Sequence, residues 1–333
     1  MKITIFETEP WEQDIYRKLG ADHEVVFLTE SLGQQNAGDH RDTDVVSTFI
    51  YSSLDEAVLK QLPSLKLIST RSTGYDHIDL EYCSEHDIQI ANVPSYGTCP
   101  VAEHVFGLIL VISHNLNEAI NRTRRGDFSL AGLKGFDLHG RVLGVVGTGS
   151  IGTCVIRIAR GFGMEVHAFD VNPDEALSSE LGFTYSPLNT LLGSSDIVTL
   201  HVPANKHTRH LISEEQFGQM KDGSILINTS RGTIVDVQAL IQALATGKIA
   251  AAGLDVLPDE PVIREEAELL RSVFQKKYDL ETLLADHILL RLRNVYITPH
   301  SAFYTQEALL DILNTTLDNI QAFVQGSPQN VVQ

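Results

Sequence analysis

The sequence contains few cysteines, a small share of basic residues and no long apolar run. Its three cysteines, Cys83, Cys99 and Cys154, lie far apart in a chain of 333 residues and form no CxxC pair. Such sparse cysteines fit a reducing cytoplasm better than a scaffold held by disulfides. Lysine and arginine total 25 against 43 aspartates and glutamates, which gives a formal charge of -18. We therefore expect no nucleic-acid partner and no anionic membrane partner, because both require basic patches.

Segments directed to a membrane and a common zinc motif are also missing. The longest apolar stretch, VFGLILVI at 105–112, is far too short to span a bilayer and indicates a buried or interface helix. The N-terminal MKITIFETEPW turns acidic within seven residues and lacks the apolar core of a signal peptide. No HExxH occurs, so we expect no metal site. These observations predict a cytoplasmic protein.

Short β-rich runs alternate with helical segments along the chain, and this alternation predicts the fold class. The first series comprises KITIF, EVVFL, DVVSTFI, LKLIST and IQIANV, and the second comprises RVLGVVG, EVHAFD, DIVTLHVP, SILINTS, AAAGLDV and NVYITPH. Apolar strands that alternate with helices are typical of a parallel sheet covered on both faces. We predict an α/β protein with two doubly wound, Rossmann-like domains and a cleft between them.

The length of the chain favours two domains, since one hydrophobic core seldom serves so many residues. A long helical stretch from about 101 to 124, opened by Pro100, separates the two series of strands. The first domain should comprise residues 1–99 with 300–333, and the second residues 100–299. The last thirty residues have helical periodicity and no predicted strand, so we expect them to pack back on the first domain.

A glycine pattern follows the first strand of the second series. It reads Gly147-x-Gly149-x-x-Gly152, an apolar helical pattern follows it, and the next strand ends at Asp170. The glycines would allow a tight turn and close approach of backbone to a pyrophosphate at a helix N-terminus. Asp170 would bind ribose hydroxyls and repel a 2′-phosphate, and no basic residue follows in VNPDE. We predict NAD(H), not NADP(H); the alternative is a plain strand–turn–helix.

Reactive side chains follow three neighbouring strands of the second series, where ligands bind in open α/β sheets. Arg231 follows SILINTS, Asp255 and Glu260 follow AAAGL, and His300 follows NVYITP. An arginine can bind a 2-keto carboxylate with both arms and polarise the adjacent carbonyl. A histidine can protonate the keto oxygen, and a nearby carboxylate favours its charged form. This set predicts reduction of a 2-keto acid.

Each of these residues also has a simpler interpretation. Arg231 could enter a helix and pair with Asp236, Glu260 could be a solvated loop charge, and His300 could be an ordinary loop histidine. The sequence alone leaves these alternatives open, because the side chains are distant along the chain. Their joint presence at strand ends favours the catalytic interpretation.

Longer motifs identify a resemblance that covers essentially the whole chain. They are GTGSIG, LHVPANKHTRHLI, MKDGSILINTSRG, GLDVLPDEP and TPHSAFYT. With them the chain resembles the D-isomer-specific 2-hydroxyacid dehydrogenase family. RSTGYDHIDL, NVPSYGTCPVAEH, FIYSSLD and the helical insertion after Glu260 resemble the fermentative D-lactate dehydrogenases of that family.

The resemblance implies reduction of pyruvate to D-lactate with NADH in a homodimer. Arg231 would bind and polarise the keto acid, and His300 would be the acid/base, assisted by Glu260. The first domain would be flavodoxin-like and bind the substrate. The cofactor-binding residues would be Gly147, Gly149, Ser150, Ile151, Gly152, Asp170, Val202, Pro203, Thr208, Thr229 and Asp255. The substrate-binding residues would be Tyr51, Thr73, Gly74, Tyr96 and Phe303, although aromatic residues are as often simply core.

One departure leaves the preferred substrate size open. SYGTCPVAEH replaces the Ser-Pro-Asn that usually follows the tyrosine in the D-lactate branch, and Cys99 lies there. Reduction of glyoxylate, hydroxypyruvate or a larger 2-keto acid is the alternative within the class. An NAD(H)-sensing protein that resembles corepressors is the alternative from another class. Formate dehydrogenases of this type have glutamine where Glu260 stands, so formate oxidation is disfavoured.

Overall fold

The computed structural model describes residues 1–258 and 280–332, which form two compact units. The terminal unit comprises Met1–Tyr96 and Tyr304–Gln333, and the central unit comprises Gly97–Phe303. Each unit contains one sheet with helices on both faces. The prediction of an α/β protein with two parallel, Rossmann-like sheets is confirmed.

The sheet of the terminal unit has flavodoxin-like topology. Its strands are β1 (Lys2–Ile5), β2 (Glu24–Phe27), β3 (Val45–Thr48), β4 (Leu67–Thr70), β5 (Gln89–Ala91) and β13 (Val331–Val332). Its α-helices are α1 (Gln13–Tyr16), α2 (Glu56–Leu59), α3 (Leu80–Glu85) and α12 (Gln306–Val324). The strands are ordered β13-β5-β4-β3-β1-β2. The first five strands are parallel, and their order 2-1-3-4-5 is that of flavodoxin.

Two apolar layers cover the terminal sheet. On one face Leu313, Leu317 and Ile320 of α12 pack with Ile3 and Ile5 of β1. In the second layer Val58 and Leu59 of α2 pack with Val46 of β3 and Ile68 of β4. The C-terminal helix α12 therefore completes the core layer to which the N-terminal strand β1 contributes Ile3 and Ile5.

The central unit has the strand order of a dinucleotide-binding sheet. Its strands are β6 (Val142–Val146), β7 (Glu165–Phe169), β8 (Thr184–Tyr185), β9 (Ile197–Leu200), β10 (Ser224–Asn228), β11 (Ile249–Leu254) and β12 (Val295–Ile297). Its α-helices are α4 (Thr98–Ser113), α5 (Leu116–Arg124), α6 (Ser150–Gly161), α7 (Glu175–Leu181), α8 (Leu188–Ser194), α9 (Glu214–Gln219), α10 (Val237–Ala245) and α11 (Leu280–Leu289). The order β12-β11-β10-β9-β6-β7-β8 brings the carboxyl ends of β10, β11 and β12 side by side. All pairs in this sheet are parallel.

The helical stretch predicted from about 101 to 124 is helical but divided into two helices. Helix α4 ends at Ser113, and α5 follows at an angle of 65° after Asn115, which has a left-handed φ of 51°. The carbonyl oxygen of Ser113 accepts a hydrogen bond of 2.9 Å from the N–H of Phe136. A Cβ on Gly135 would lie 2.0 Å from that oxygen, so the segment crosses closely over the end of α4. This tertiary contact ends the helix.

Two short strands were not predicted. The last thirty residues contain β13, which pairs antiparallel with β5 through Val331 and Ala91. The second series has a seventh strand, β8, at the edge beside β7. Each is two residues long, which is too short for an apolar pattern to indicate.

Within residues 1–258 and 280–332, no single helix has the length and hydropathy to cross a bilayer, although the bent pair of α4 and α5 would be long and apolar enough if taken together. Most of the apolar residues of α4 are buried in the core of the central unit.

Candidate active site

The glycine pattern forms a tight turn between β6 and α6. Gly147 has a φ of 97°, and a Cβ there would lie 2.5 Å from the carbonyl oxygen of His201. A Cβ on Gly152 would lie 2.0 Å from the carbonyl oxygen of Gly147, so helix and turn are in backbone contact. At Gly149 a Cβ would meet no protein atom within 4 Å. Packing therefore requires the first and third glycines, whereas the second faces space that a ligand could fill.

The first turn of α6 offers N–H groups next to this space. The first hydrogen bond within the helix runs from the N–H of Thr153 to the carbonyl of Gly149, at 2.9 Å. The N–H groups of Ser150, Ile151 and Gly152 precede that bond and point out of the helix N-terminus. Such a terminus is suited to a pyrophosphate.

Asp170 lies at the end of β7, beside the glycine turn. Its Oδ2 accepts hydrogen bonds from the N–H of Thr148 (2.7 Å) and from its hydroxyl (3.0 Å). Its Oδ1 accepts one of 2.9 Å from the N–H of Asn172. Burial alone would raise the pKa of Asp170, but these hydrogen bonds bring it below its ordinary value of 3.8. The carboxylate is thus charged at neutral pH, as an acceptor for ribose hydroxyls must be.

The remaining cofactor candidates lie in the loops after β9 and β10. Thr208 Oγ1 donates to the carbonyl of Pro203 at 2.6 Å, which closes the loop that begins with the half-buried Val202. Thr229 is 9% exposed, and its buried hydroxyl has no hydrogen-bond partner within residues 1–258 and 280–332. A buried hydroxyl in this condition is costly unless a ligand pairs with it. The residues therefore fit a dinucleotide.

Arg231 lies in a turn that Asn228 shapes. The side chain of Asn228 accepts from the N–H of Ser230 (3.0 Å) and donates to the carbonyl of Arg231 (2.9 Å). Gly232 follows, and a Cβ there would lie 2.1 Å from the carbonyl carbon of Leu257. The turn after β10 and the loop after β11 are consequently held in backbone contact.

Asp255 fixes the backbone on both sides of His300. It is 1% exposed, and its carboxylate accepts from the hydroxyl of Thr298 (2.5 Å) and the N–H groups of Ser301 and Ala302 (both 2.9 Å). Its carbonyl accepts from the N–H of His300 at 3.0 Å. His300 has a left-handed φ of 53°, a conformation that costs energy outside glycine and needs such support.

His104 belongs to the same network, although no sequence motif selects it. Its Nε2 lies 2.9 Å from the hydroxyl oxygen of Thr298 and 3.6 Å from Oδ1 of Asp255. Because the hydroxyl proton of Thr298 is donated to Asp255, His104 must donate from Nε2 to Thr298. A histidine on an apolar helix carries no signal in the sequence that it reaches a strand end.

The substrate candidates of the terminal unit lie at its strand ends. The hydroxyl of Thr73 donates to the carbonyl of Val93 at 2.8 Å, and its carbonyl accepts from the side chain of Asn92 at 2.9 Å. In the described part of the chain, no acceptor pairs with the N–H groups of Thr73 and Gly74. These two donors are available to a carboxylate.

The aromatic candidates differ in exposure. Tyr51 is 50% exposed and packs edge-to-face against Phe49, with ring centroids 5.9 Å apart. Tyr96 is half-buried, and Phe303 is buried. Tyr51 and Tyr96 belong to the terminal unit and Phe303 to the central unit. Glu260 lies outside the described residues.

A buried arginine at the end of β4 and a glutamate at the end of β1 were also not selected from the sequence. Arg71 is 2% exposed and donates to the carbonyls of Phe6 (2.8 Å) and Glu7 (2.7 Å). The carboxylate of Glu7 accepts from the hydroxyl of Ser52 and the N–H of Tyr51, so it holds the loop that carries Tyr51. Burial raises the pKa of Glu7 above 4.5, although Ser52 and Arg71 oppose the shift. The strand-end position of Arg71 in LISTRSTG parallels that of Arg231 and was the available signal.

A glycine turn at a helix N-terminus, with a charged carboxylate after the next strand, defines the central unit as a dinucleotide-binding domain. A family model described as D-isomer specific 2-hydroxyacid dehydrogenase, NAD binding domain, matches residues 106–302. The chain is 35% identical over 335 residues to D-lactate dehydrogenase of Escherichia coli (strain K12), covering 98% of each.

Two solved structures are similar over nearly the whole chain. The pyruvate reductase of Chlamydomonas reinhardtii has 37% identity and a TM-score of 0.87, covering 98% of this chain and 97% of the other. D-lactate dehydrogenase of Aquifex aeolicus, complexed with NAD and lactic acid, has 36% identity and a TM-score of 0.87, covering 98% and 96%. The chain therefore belongs to the D-isomer-specific 2-hydroxyacid dehydrogenase family and is an NAD-dependent oxidoreductase.

The glycine turn yields a test that separates packing from cofactor binding. Gly149→Ala should leave the unfolding temperature of the free protein unchanged, since the new methyl group meets no protein atom within 4 Å. It should weaken NADH binding by about tenfold or more, because a methyl group forced against a ligand costs about 1–3 kcal/mol. Fluorescence titration with NADH measures the affinity. Gly152→Ala is the matched control and should destabilise the free protein itself; equal NADH affinity of Gly149→Ala and wild type would contradict the assignment.

The raised pKa of Glu7 predicts a pH-dependent stability difference. A carboxyl group whose pKa is higher in the folded state contributes stability below its ordinary value of 4.5 and loses it as pH rises through the folded value. Glu7→Gln cannot ionise, so its free energy of unfolding relative to wild type should increase from pH 4 to pH 8. Urea unfolding across this range measures the difference. The exposed Glu85→Gln is the control, and a pH-independent effect of Glu7→Gln would show that burial does not dominate there.

Proposed function

We propose that the protein reduces pyruvate to D-lactate with NADH. The observation that carries the proposal is a continuous chain of hydrogen bonds from the turn of Arg231 to the backbone of His300. Asn228 donates to the carbonyl of Arg231 (2.9 Å), Asp255 donates from its N–H to the carbonyl of Asn228 (2.9 Å), and His300 donates to the carbonyl of Asp255 (3.0 Å). An arginine and a histidine are thereby held on one rigid set of strand ends.

These two residue types supply what reduction of a 2-keto acid requires from a protein. The guanidinium of Arg231 would hold the carboxylate and polarise the keto group. His300 would donate a proton to the keto oxygen, and Glu260 would favour the charged imidazole before that donation. The N–H groups of Thr73 and Gly74 would bind the substrate carboxylate as well. Bound NADH supplies the hydride.

A small substrate is favoured by the aromatic candidates. Aromatic side chains such as those of Tyr51, Tyr96 and Phe303 suit a small apolar group, and the methyl group of pyruvate is one. Similarity to D-lactate dehydrogenases and to a pyruvate reductase supports pyruvate as that substrate. The D configuration of the product is likewise proposed from these relatives.

Assembly and location complete the proposal. We propose a homodimer that uses the surface of α4 and α5, where Leu116 and Ile120 are exposed apolar residues. The sparse cysteines and the similarity to lactate dehydrogenases favour the cytoplasm.

A panel of 2-keto acids tests the substrate. With NADH, pyruvate should give the highest kcat/KM, and chiral analysis of the product should show D-lactate. Glyoxylate and hydroxypyruvate probe smaller or more polar groups, and 2-ketoisocaproate probes a larger one. A higher kcat/KM for any of these three would replace pyruvate as the proposed substrate, and L-lactate would refute the stereochemistry.

Substitution of the two strand-end residues tests the mechanism. His300→Ala should lower kcat by about a hundredfold or more, since general acid catalysis contributes that much. Arg231→Ala should raise KM for pyruvate strongly and lower kcat, because the charged bidentate contact is lost. Steady-state kinetics measures both. Exposed residues far along the chain serve as controls, His86→Ala and Arg17→Ala; turnover near wild type in His300→Ala or Arg231→Ala would remove that residue from the mechanism.

A further inference from the structure

Two of the three cysteines lie at the beginnings of two neighbouring helices in the central unit. Cys99 is in the first turn of α4 and is exposed, and Cys154 is near the start of α6 and is half-buried. Both cysteines are free thiols, and Cys99 is close enough to Cys154 to raise the pKa of its thiol. They therefore form a dithiol pair whose members are distant in sequence.

The packing of α4 along α6 explains why the thiols meet. About two helical turns further on, the rings of Phe106 and Phe162 stack with centroids 5.2 Å apart and an interplanar angle of 3°. Between the thiols and these rings, Ala102 of α4 and Val155 of α6 are fully buried in one apolar cluster. The helices thus run side by side in the same direction, so the pairing of the cysteines is fixed by two helices and not by a loop.

We propose that Cys99 and Cys154 are a redox modification site, at which a small-molecule disulfide oxidises the pair to an intramolecular disulfide. The thiolate of Cys99 attacks one sulfur of the small disulfide and releases one thiol. The thiolate of Cys154 then attacks the Cys99 sulfur of the mixed disulfide and releases the second thiol. The protein loses two electrons and two protons, and the small disulfide is reduced to two thiols.

The order of the steps follows from exposure and charge. Cys99 is accessible to a small disulfide, whereas burial, and then the neighbouring Cys99, raise the pKa of Cys154 above 9.0. Once Cys99 is in a mixed disulfide its sulfur carries no charge. It then no longer raises the pKa of Cys154 by electrostatic repulsion. Arg157, one turn further along α6, favours that thiolate. Cys154 is accordingly suited to the resolving step.

Cys83 provides an internal reference. It is 1% exposed in the terminal unit, and burial raises its pKa to about 11. Its thiol should stay reduced under conditions that oxidise the pair, since both access and thiolate formation are disfavoured.

Oxidation of the full-length protein with glutathione disulfide, followed by alkylation in denaturant and peptide mass mapping, tests the proposal. We expect two of the three thiols to be lost, a peptide pair joining residues 99 and 154, no covalent dimer on a non-reducing gel, and full recovery with dithiothreitol. C83S should behave as wild type, whereas C99S and C154S should not form the internal disulfide. Stable glutathione adducts at Cys99 alone, disulfide-linked dimers or unchanged thiols would each overturn the proposal. The thiol measurement does not depend on pyruvate reduction. Failure of the disulfide proposal can therefore be distinguished from failure of the proposed function.

A functional readout uses the same samples. Cys154 lies on the helix whose first turn is proposed to bind the pyrophosphate, so this part of the inference rests on the proposed function. The disulfide should change NADH affinity at least twofold in wild type and in C83S, and dithiothreitol should reverse the change. The same oxidant should leave the NADH affinity of C99S unchanged, because that variant lacks the thiol that reacts first. If oxidised and reduced wild type bind NADH with equal affinity, the disulfide has no effect on cofactor binding, and this part of the inference is overturned.

Discussion

The buried carboxylate of Asp255 is the interaction on which the candidate active site depends most. It is almost fully removed from water and accepts two backbone N–H groups and one hydroxyl. Hydrogen bonds to a charged group contribute about 1.5–3 kcal/mol each, and buried donors left without the acceptor would be costly. The left-handed conformation of His300 lies between these contacts, so the carboxylate stabilises a backbone that histidine would otherwise seldom adopt.

The same carboxylate joins elements that are far apart along the chain. Through Thr298 it is connected to His104 on α4, which precedes the whole sheet of the central unit in sequence. Through the N–H of Asp255 it is connected to Asn228 and hence to the turn of Arg231. Gly232 adds a backbone contact with the loop after β11 that any side chain would prevent. The ends of strands β10, β11 and β12 therefore form one rigid unit. Such rigidity is required if the hydrogen-bond donors of a site are to be preorganised.

The sequence predicted those features of the fold that depend on local pattern. The apolar strands of both series occur where the β-rich runs lie, and the glycine pattern forms the expected turn before α6. The adjacency of the strand ends carrying Arg231, Asp255 and His300 also follows from doubly wound topology, and the strand order agrees. Periodicity and motif spacing suffice for such features because they are encoded over a few neighbouring residues.

What could not be predicted depends on contacts between distant segments. The approach of Gly135 and Phe136 to the last carbonyl of α4 cannot be read from α4 itself, although the left-handed Asn115 just beyond the helix is a local signal for its end. The partnership of Glu7 with Arg71 joins residues separated by more than sixty positions, and that of Cys99 with Cys154 requires knowledge of how α4 packs on α6. In the sequence these residues look like ordinary polar or small residues. Their partners become evident only when the packed structure is known.

Three histidines of the central unit differ in their environments, and these differences bear on which of them could donate a proton. His201 follows β9 at the same edge of the central sheet, next to the glycine turn, and its position alone would make it a proton donor. Burial, however, lowers the pKa of His201 to about 3, so its ring is neutral at any pH where the protein would work. His104 uses its Nε2 proton to bind Thr298 within the Asp255 network. His300 differs from both in that the network holds its backbone, because its N–H donates to the carbonyl of Asp255 at 3.0 Å. A backbone fixed in this way fits the role of proton donor that is proposed for His300, since such a donor must be positioned before the proton is transferred.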